Sequence, residues 1–107
     1  MISRVISIMF AALIAMLSIQ AVAQAPTRGI DKRIAIAKDR VYDGVRMGYL
    51  TRGESDRLNR EIADVEGMLW RAKRDGVANY WERQDIRDAL TRVERDIERL
   101  TYNRQRR

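Results

Sequence analysis

The chain has 107 residues, 46% of them apolar, with 21 Lys and Arg against 15 Asp and Glu for a net charge of +6, one Pro, and neither Cys nor His. That length holds one small domain and excludes a multidomain enzyme. The missing Cys and His exclude disulfides, zinc sites of the usual ligand set, and any catalytic dyad or triad built on imidazole or thiolate.

Met1-Ile2-Ser3-Arg4 places one positive charge ahead of an apolar run from Val5 to Ile19, followed by Gln20 and Ala21-Val22-Ala23. A charged start, an apolar stretch and small residues at the first and third places of the last triplet match the three parts of a secretory signal peptide. Cleavage is expected after Ala23, which makes 1–23 the signal. The triplet Ala23-Gln24-Ala25 offers a second site, but one that leaves Pro26 directly after the cut. The competing reading is an uncleaved anchor; against it, Ser7, Ser18 and Gln20 interrupt the run of about 20 apolar residues that a spanning helix wants. The expected product is periplasmic or secreted, with no transmembrane segment after processing. Removing 1–23 leaves about 37% apolar residues in the remainder. Only Arg4 is lost from the charges, so the basic surplus belongs to the mature chain.

Residues 24–29 read as a short extension, 30–103 as a three-helix domain and 104–107 as a basic tail. In the first helix, Ile30, Ile34, Ala37, Val41 and Val45 recur at steps of three and four, which is one helical face. The helix is expected to end near Gly48. The second helix carries Leu58, Ile62, Val65, Leu69 and Ala72, and the third Ile86, Leu90, Val93, Ile97 and Leu100. A sustained 3.5-residue spacing marks a coiled-coil-like seam. The predicted fold is all-α, an antiparallel three-helix hairpin or bundle.

The two connecting turns are alike. Gly48-Tyr49-Leu50-Thr51-Arg52-Gly53-Glu54 and Gly76-Val77-Ala78-Asn79-Tyr80-Trp81-Glu82 stand 28 residues apart. Gly48 and Gly76 are expected to supply the left-handed residue of a C-terminal cap, with Tyr49 or Val77 folding back on the last turn. Thr51 and Asn79 then cap the next helix, while Glu54 and Glu82 reach back to the amide of the cap residue. Within the helices, Asp56 with Arg60, Arg60 with Asp64, Asp88 with Arg92 and Arg92 with Asp96 are spaced for ion pairs of about 0.2–0.5 kcal/mol each. Gly44 and Gly67 lie inside predicted helices, where each costs about 1 kcal/mol relative to Ala. They either permit close packing or mark mobile places.

The twelve residues from Asp43 to Glu54 resemble an EF-hand loop, with Gly48 sixth, Leu50 eighth, Thr51 ninth and Glu54 twelfth. The window from Arg71 to Glu82 matches with Asp75 fifth, Gly76 sixth, Asn79 ninth and Glu82 twelfth. This resemblance implies calcium held by Asp43, Thr51 and Glu54, and by Asp75, Asn79 and Glu82. Calcium takes six to eight oxygen ligands, several from the first, third and fifth positions. Here those places hold Val45 and Met47 in one loop and the cations Arg71 and Lys73 in the other, and cations repel a dication. The capped-turn reading needs no cofactor. Leu50-Thr51-Arg52-Gly53-Glu54 also resembles the Leu-Thr-x-x-Gln motif of small periplasmic helical stress proteins, which include ATP-independent chaperones and metal-stress sensors; it differs in Glu54 and in the absence of His. The chain is further similar to short exported bacterial helical proteins of unknown function that carry a Gly-x-Leu-Thr-x-x-Glu turn followed by an Asp-Gly turn, here Asp75-Gly76.

An enzyme is not expected. Beyond the signal, the only Ser is Ser55, with no His to activate it, and most carboxylates have an Arg nearby at helical spacing. Arg92, Arg95, Arg99, Arg104, Arg106 and Arg107 crowd the third helix and tail. A basic surplus usually suggests nucleic acid; export turns that expectation toward anionic lipid, lipopolysaccharide or an acidic envelope polymer. The bland alternative is that these charges only solvate helix faces. Trp70, Tyr80 and Trp81 are expected to gather at one end of the bundle and complete its core; left exposed, they would offer a patch to an envelope protein or to a second copy. The leading expectation is a non-enzymatic envelope protein that binds proteins or anionic surfaces, in a chaperone-like or stress-protective role. A calcium-responsive module and a structural, self-assembling helical protein are the alternatives.

Overall fold

A computed structural model describes residues 27–105; the expected signal peptide, Pro26, Arg106 and Arg107 lie outside the described residues. Three helices follow one another: α1 (Arg28–Arg46), α2 (Arg52–Arg74) and α3 (Tyr80–Gln105). Each packs against the other two, so the fold is an all-α three-helix bundle. Ion pairs between Lys38 and Glu66 (2.9 Å) and between Lys73 and Asp31 (3.2 Å) run from α1 to α2 in opposite chain directions, as antiparallel neighbours require.

The apolar stripes become the core. Ile30, Ile34, Ala37 and Val41 of α1, Leu58, Ile62, Val65, Leu69 and Ala72 of α2, and Ile86, Leu90, Val93 and Ile97 of α3 are all buried, with Leu100 packed at the margin. Burying one such aliphatic side chain contributes about 1.5–3 kcal/mol. This shared interior holds a chain that has no cysteine with which to form a disulfide.

One position of the α1 stripe departs from expectation. Val45 is 42% exposed, and the helix instead closes on Leu50, which returns from the turn and is buried. Gly44 makes this possible: a Cβ built there would stand 2.7 Å from Leu50 Cδ1 and 2.9 Å from its Cγ. Gly67 is different, since the nearest atom to its Cβ would be Arg71 Nη1 at 3.4 Å, an ordinary contact.

α1 and α3 are joined by a polar clasp. Arg33 pairs with Glu94 through Nη2 to Oε1 and through Nε to Oε2 at 3.3 Å, and its Nη2 also donates to Thr91 Oγ1 at 3.1 Å. The carboxylate bond holds the Arg33 guanidinium above its usual pKa, against a smaller opposing effect of burial. Among the described residues, none of the four intrahelical pairs expected from the sequence is an ion pair; the intrahelical pairs are Asp43 with Arg46, Arg57 with Glu61, and Asp96 with Arg99. Long surface side chains choose among several partners at little cost, because such pairs contribute little.

The two helical glycines give opposite expectations. Gly67→Ala raises stability by about 0.5–1 kcal/mol through helix propensity. Gly44→Ala lowers it by roughly 1 kcal/mol or more, because crowding of Leu50 outweighs the same propensity gain. Urea denaturation of the two variants against the parent checks both signs.

Candidate functional site

Gly48 and Gly76 take positive φ, +78° and +119°. At the first turn, Tyr49 N and Leu50 N both donate to Gly44 O, at 2.8 and 3.0 Å, and Gly48 N to Val45 O at 3.1 Å. The residue that folds back is not the one after the glycine. Leu50 and Ala78, two residues on, are buried, whereas Val77 is 56% exposed. A left-handed glycine turns the chain, and the second residue beyond it is the one aimed at the core.

Thr51 and Glu54 form a reciprocal capping box on α2. Glu54 N donates to Thr51 Oγ1 at 3.1 Å and Thr51 N to Glu54 Oε1 at 2.9 Å. At α3, Glu82 N donates to Asn79 Oδ1 at 2.8 Å, but the Glu82 carboxylate accepts from the Asn79 side-chain amide rather than from its backbone. The Asn79 amide carries a donor nitrogen beside the oxygen that caps the helix, and here that nitrogen donates to the Glu82 carboxylate. Arg83 adds a bond from Nη1 to Ala78 O.

The residues of the two EF-hand-like windows thus go in different directions. Asp43 lies 3.8 Å from Arg46, Thr51 and Glu54 engage each other, and Asn79 and Glu82 do the same. No group of three or more Asp or Glu side chains placed to hold a metal ion occurs among the described residues. Asp75 and Glu82 share a shallow depression with Asp85, Arg71, Met68, Ala72 and Ile86, where Arg71 brings a cation among the carboxylates.

The aromatic residues are exposed: Trp70 by 60%, Tyr80 by 57% and Trp81 by 74%. Instead of completing the core, Trp70 stacks under the Arg74 guanidinium, 5.1 Å from the ring centroid, and Tyr80 meets Trp81 edge to face at 5.2 Å. Helical geometry is the reason. Trp70 is one step, about 100°, past the buried Leu69, and positions 80 and 81 counted back from Ile86 fall outside the α3 stripe.

Arg92, Arg95, Arg99 and Arg104 are all exposed on α3. Arg92 and Arg95 take part in no ion pair among the described residues, while Arg99 reaches Asp96 at 3.3 Å. Arg106 and Arg107 lie outside the described residues. Arg92, Arg95 and Arg99 belong to a longer exposed row: Trp81, Asp85, Asp88, Arg92, Arg95, Arg99 and Tyr102, at alternating steps of four and three. Its first half is aromatic and acidic, its second half basic. The 3.5-residue count that finds the cores would have found this row had it been applied to polar residues as well as apolar ones.

A shallow groove of about 530 Å³ lies between α1 and α2, lined by Lys38, Val41, Tyr42, Val45, Ile62 and Glu66 among others. Its one carboxylate, Glu66, is bonded to Lys38. No helix among the described residues is long and apolar enough to cross a membrane.

The caps set a measurable expectation. Thr51→Ala and Asn79→Ala each lower stability by about 1 kcal/mol. Millimolar calcium leaves the thermal midpoint of the parent unmoved, since the oxygens of Thr51, Glu54, Asn79 and Glu82 are engaged in the caps; calorimetric melting with calcium and with chelator reads both. Comparison of the chain with protein-family models, with curated proteins and with solved structures gives no match.

Proposed function

We propose that this protein is an exported, non-enzymatic binding protein of the bacterial envelope that holds anionic surfaces through the C-terminal half of α3 and the tail. The single observation behind this reading is the exposed row Arg92, Arg95 and Arg99, in which the first two guanidinium groups have no ion pair among the described residues. Arg104 continues the basic character toward Arg106 and Arg107. Guanidinium groups offer several donors in a flat fork and match phosphate and carboxylate geometry. Export rests on the residues of 1–23, whose charged start, apolar run and Ala-Val-Ala triplet have the form of a cleaved signal.

Such a surface acts by electrostatic attraction to many weak sites rather than by a shaped pocket. Each basic residue near an anionic bilayer contributes about 1 kcal/mol, and the attraction decays within a Debye length. A binding mode of this kind tolerates varied headgroups and polymers, and it fails at high salt.

Protein recovered from the envelope of cells expressing the full chain is expected to begin at Gln24. It is retained on vesicles of phosphatidylglycerol and phosphatidylcholine at low salt, released at high salt, and not retained on phosphatidylcholine alone. The combined changes Arg92→Gln, Arg95→Gln and Arg99→Gln weaken the partition by roughly a hundredfold. Equal retention of parent and triple variant, or none of either, overturns the proposal.

A further inference from the structure

The exposed row of α3 carries its own electrostatic complement. Trp81, Asp85 and Asp88 occupy its N-terminal half and Arg92, Arg95 and Arg99 its C-terminal half, all on one face and all exposed. Asp85, Asp88, Arg92 and Arg95 form no ion pair among the described residues; Asp88 only accepts a bond from Gln84 Nε2 at 3.4 Å. The helix dipole accommodates acids near the N-terminus and bases near the C-terminus, but it does not require them to share one row at coiled-coil spacing.

We infer that this row is a self-association surface on which two copies of the chain pair through α3 in antiparallel fashion. With a two-fold axis passing level with position 90, Asp88 of one copy faces Arg92 of the other, Asp85 faces Arg95, and the Trp81 ring faces Arg99. Symmetry makes every contact twice. A parallel pairing would set Asp over Asp and Arg over Arg, so charge alone selects the antiparallel arrangement. From Trp81 to Arg99 the row is about 27 Å long at the helical rise. Of the acids that flank it, Glu82 is bonded to Asn79, Glu94 to Arg33 and Asp96 to Arg99, while Glu98 is exposed and in no ion pair among the described residues. A contact of this length, made of exposed charges and two aromatic rings, is smaller than a permanent interface and gives a reversible, salt-sensitive dimer. Pairing also covers the arginines assigned above to anionic surfaces, so a second copy and a surface compete for them.

The experiment is sedimentation velocity on protein recovered from cells expressing the full chain, over a wide concentration range, at low and at high salt. A monomer–dimer equilibrium is expected, with the dimer weakened about tenfold or more by high salt. The double variants Asp85→Arg with Asp88→Arg, and Arg92→Asp with Arg95→Asp, are each monomeric, because every facing Asp–Arg pair becomes like-charged. Mixed in equal amounts they form a heterodimer, in which all four facing pairs are again opposite. All four positions are exposed, and unchanged helical circular dichroism confirms that each variant folds. A parent that stays monomeric at every concentration and salt overturns the inference, as does a dimer that persists in the double variants, or a mixture that does not associate. The surface reading is tested separately: Asp85→Arg with Asp88→Arg keeps Arg92, Arg95 and Arg99, so it loses the dimer while retaining or strengthening its hold on anionic vesicles.

Discussion

The mutual burial of three apolar stripes is the interaction on which everything else in this molecule depends. Ile34 and Val41, Leu58 and Ile62, Leu90 and Ile97 share one interior, and no metal cluster or cysteine supplements it among the described residues. A domain of this size buries a smaller share of its surface than a larger one does, and its margin of stability is correspondingly thin. The local devices therefore matter in proportion. Two capped turns, a glycine that clears room for Leu50 and a clasp from Arg33 to Glu94 each act at a place where helix ends or helix pairs would otherwise be loosely held.

Because the core uses only one stripe per helix, the opposite faces are free to carry charge. On α1 and α2 some of that charge joins the two helices, as with Lys38 and Glu66 or Lys73 and Asp31. On α3 one exposed row sorts it along the helix instead, Asp85 and Asp88 toward Tyr80 and Arg92, Arg95 and Arg99 toward Gln105. Segregated charge contributes little to folding.

Much of this was legible in the sequence, for identifiable reasons. A 3.5-residue spacing of Ile, Leu and Val has few interpretations other than a packed helix face, and α2 and α3 follow it residue by residue. The capping residues were legible because Gly, Thr or Asn, and Glu at fixed spacing each answer a definite backbone need. Val45 and Leu50 were not, because a count of apolar positions cannot register the empty space above Gly44 that lets a turn residue take the place of a helical one. The aromatic residues misled because size and hydrophobicity suggested burial, while the helical angle from Leu69 to Trp70 already placed the latter off the stripe. The clasp between Arg33 and Glu94 was beyond reach, because it depends on the relative height of two helices and joins residues 61 positions apart in the chain.

That same separation has a consequence in time. The turns at Gly48 and Gly76 let α1 meet α2, and α2 meet α3, by closing loops of only a few residues, for which the entropic cost is small and closure is fast. The contact of Arg33 with Glu94 and Thr91 instead joins the outer helices, and it becomes inexpensive only once both hairpins stand. Loop-closure entropy thus makes the clasp the costliest of these contacts to form by itself, and the two short turns lower that cost by bringing α1 and α3 against the same middle helix.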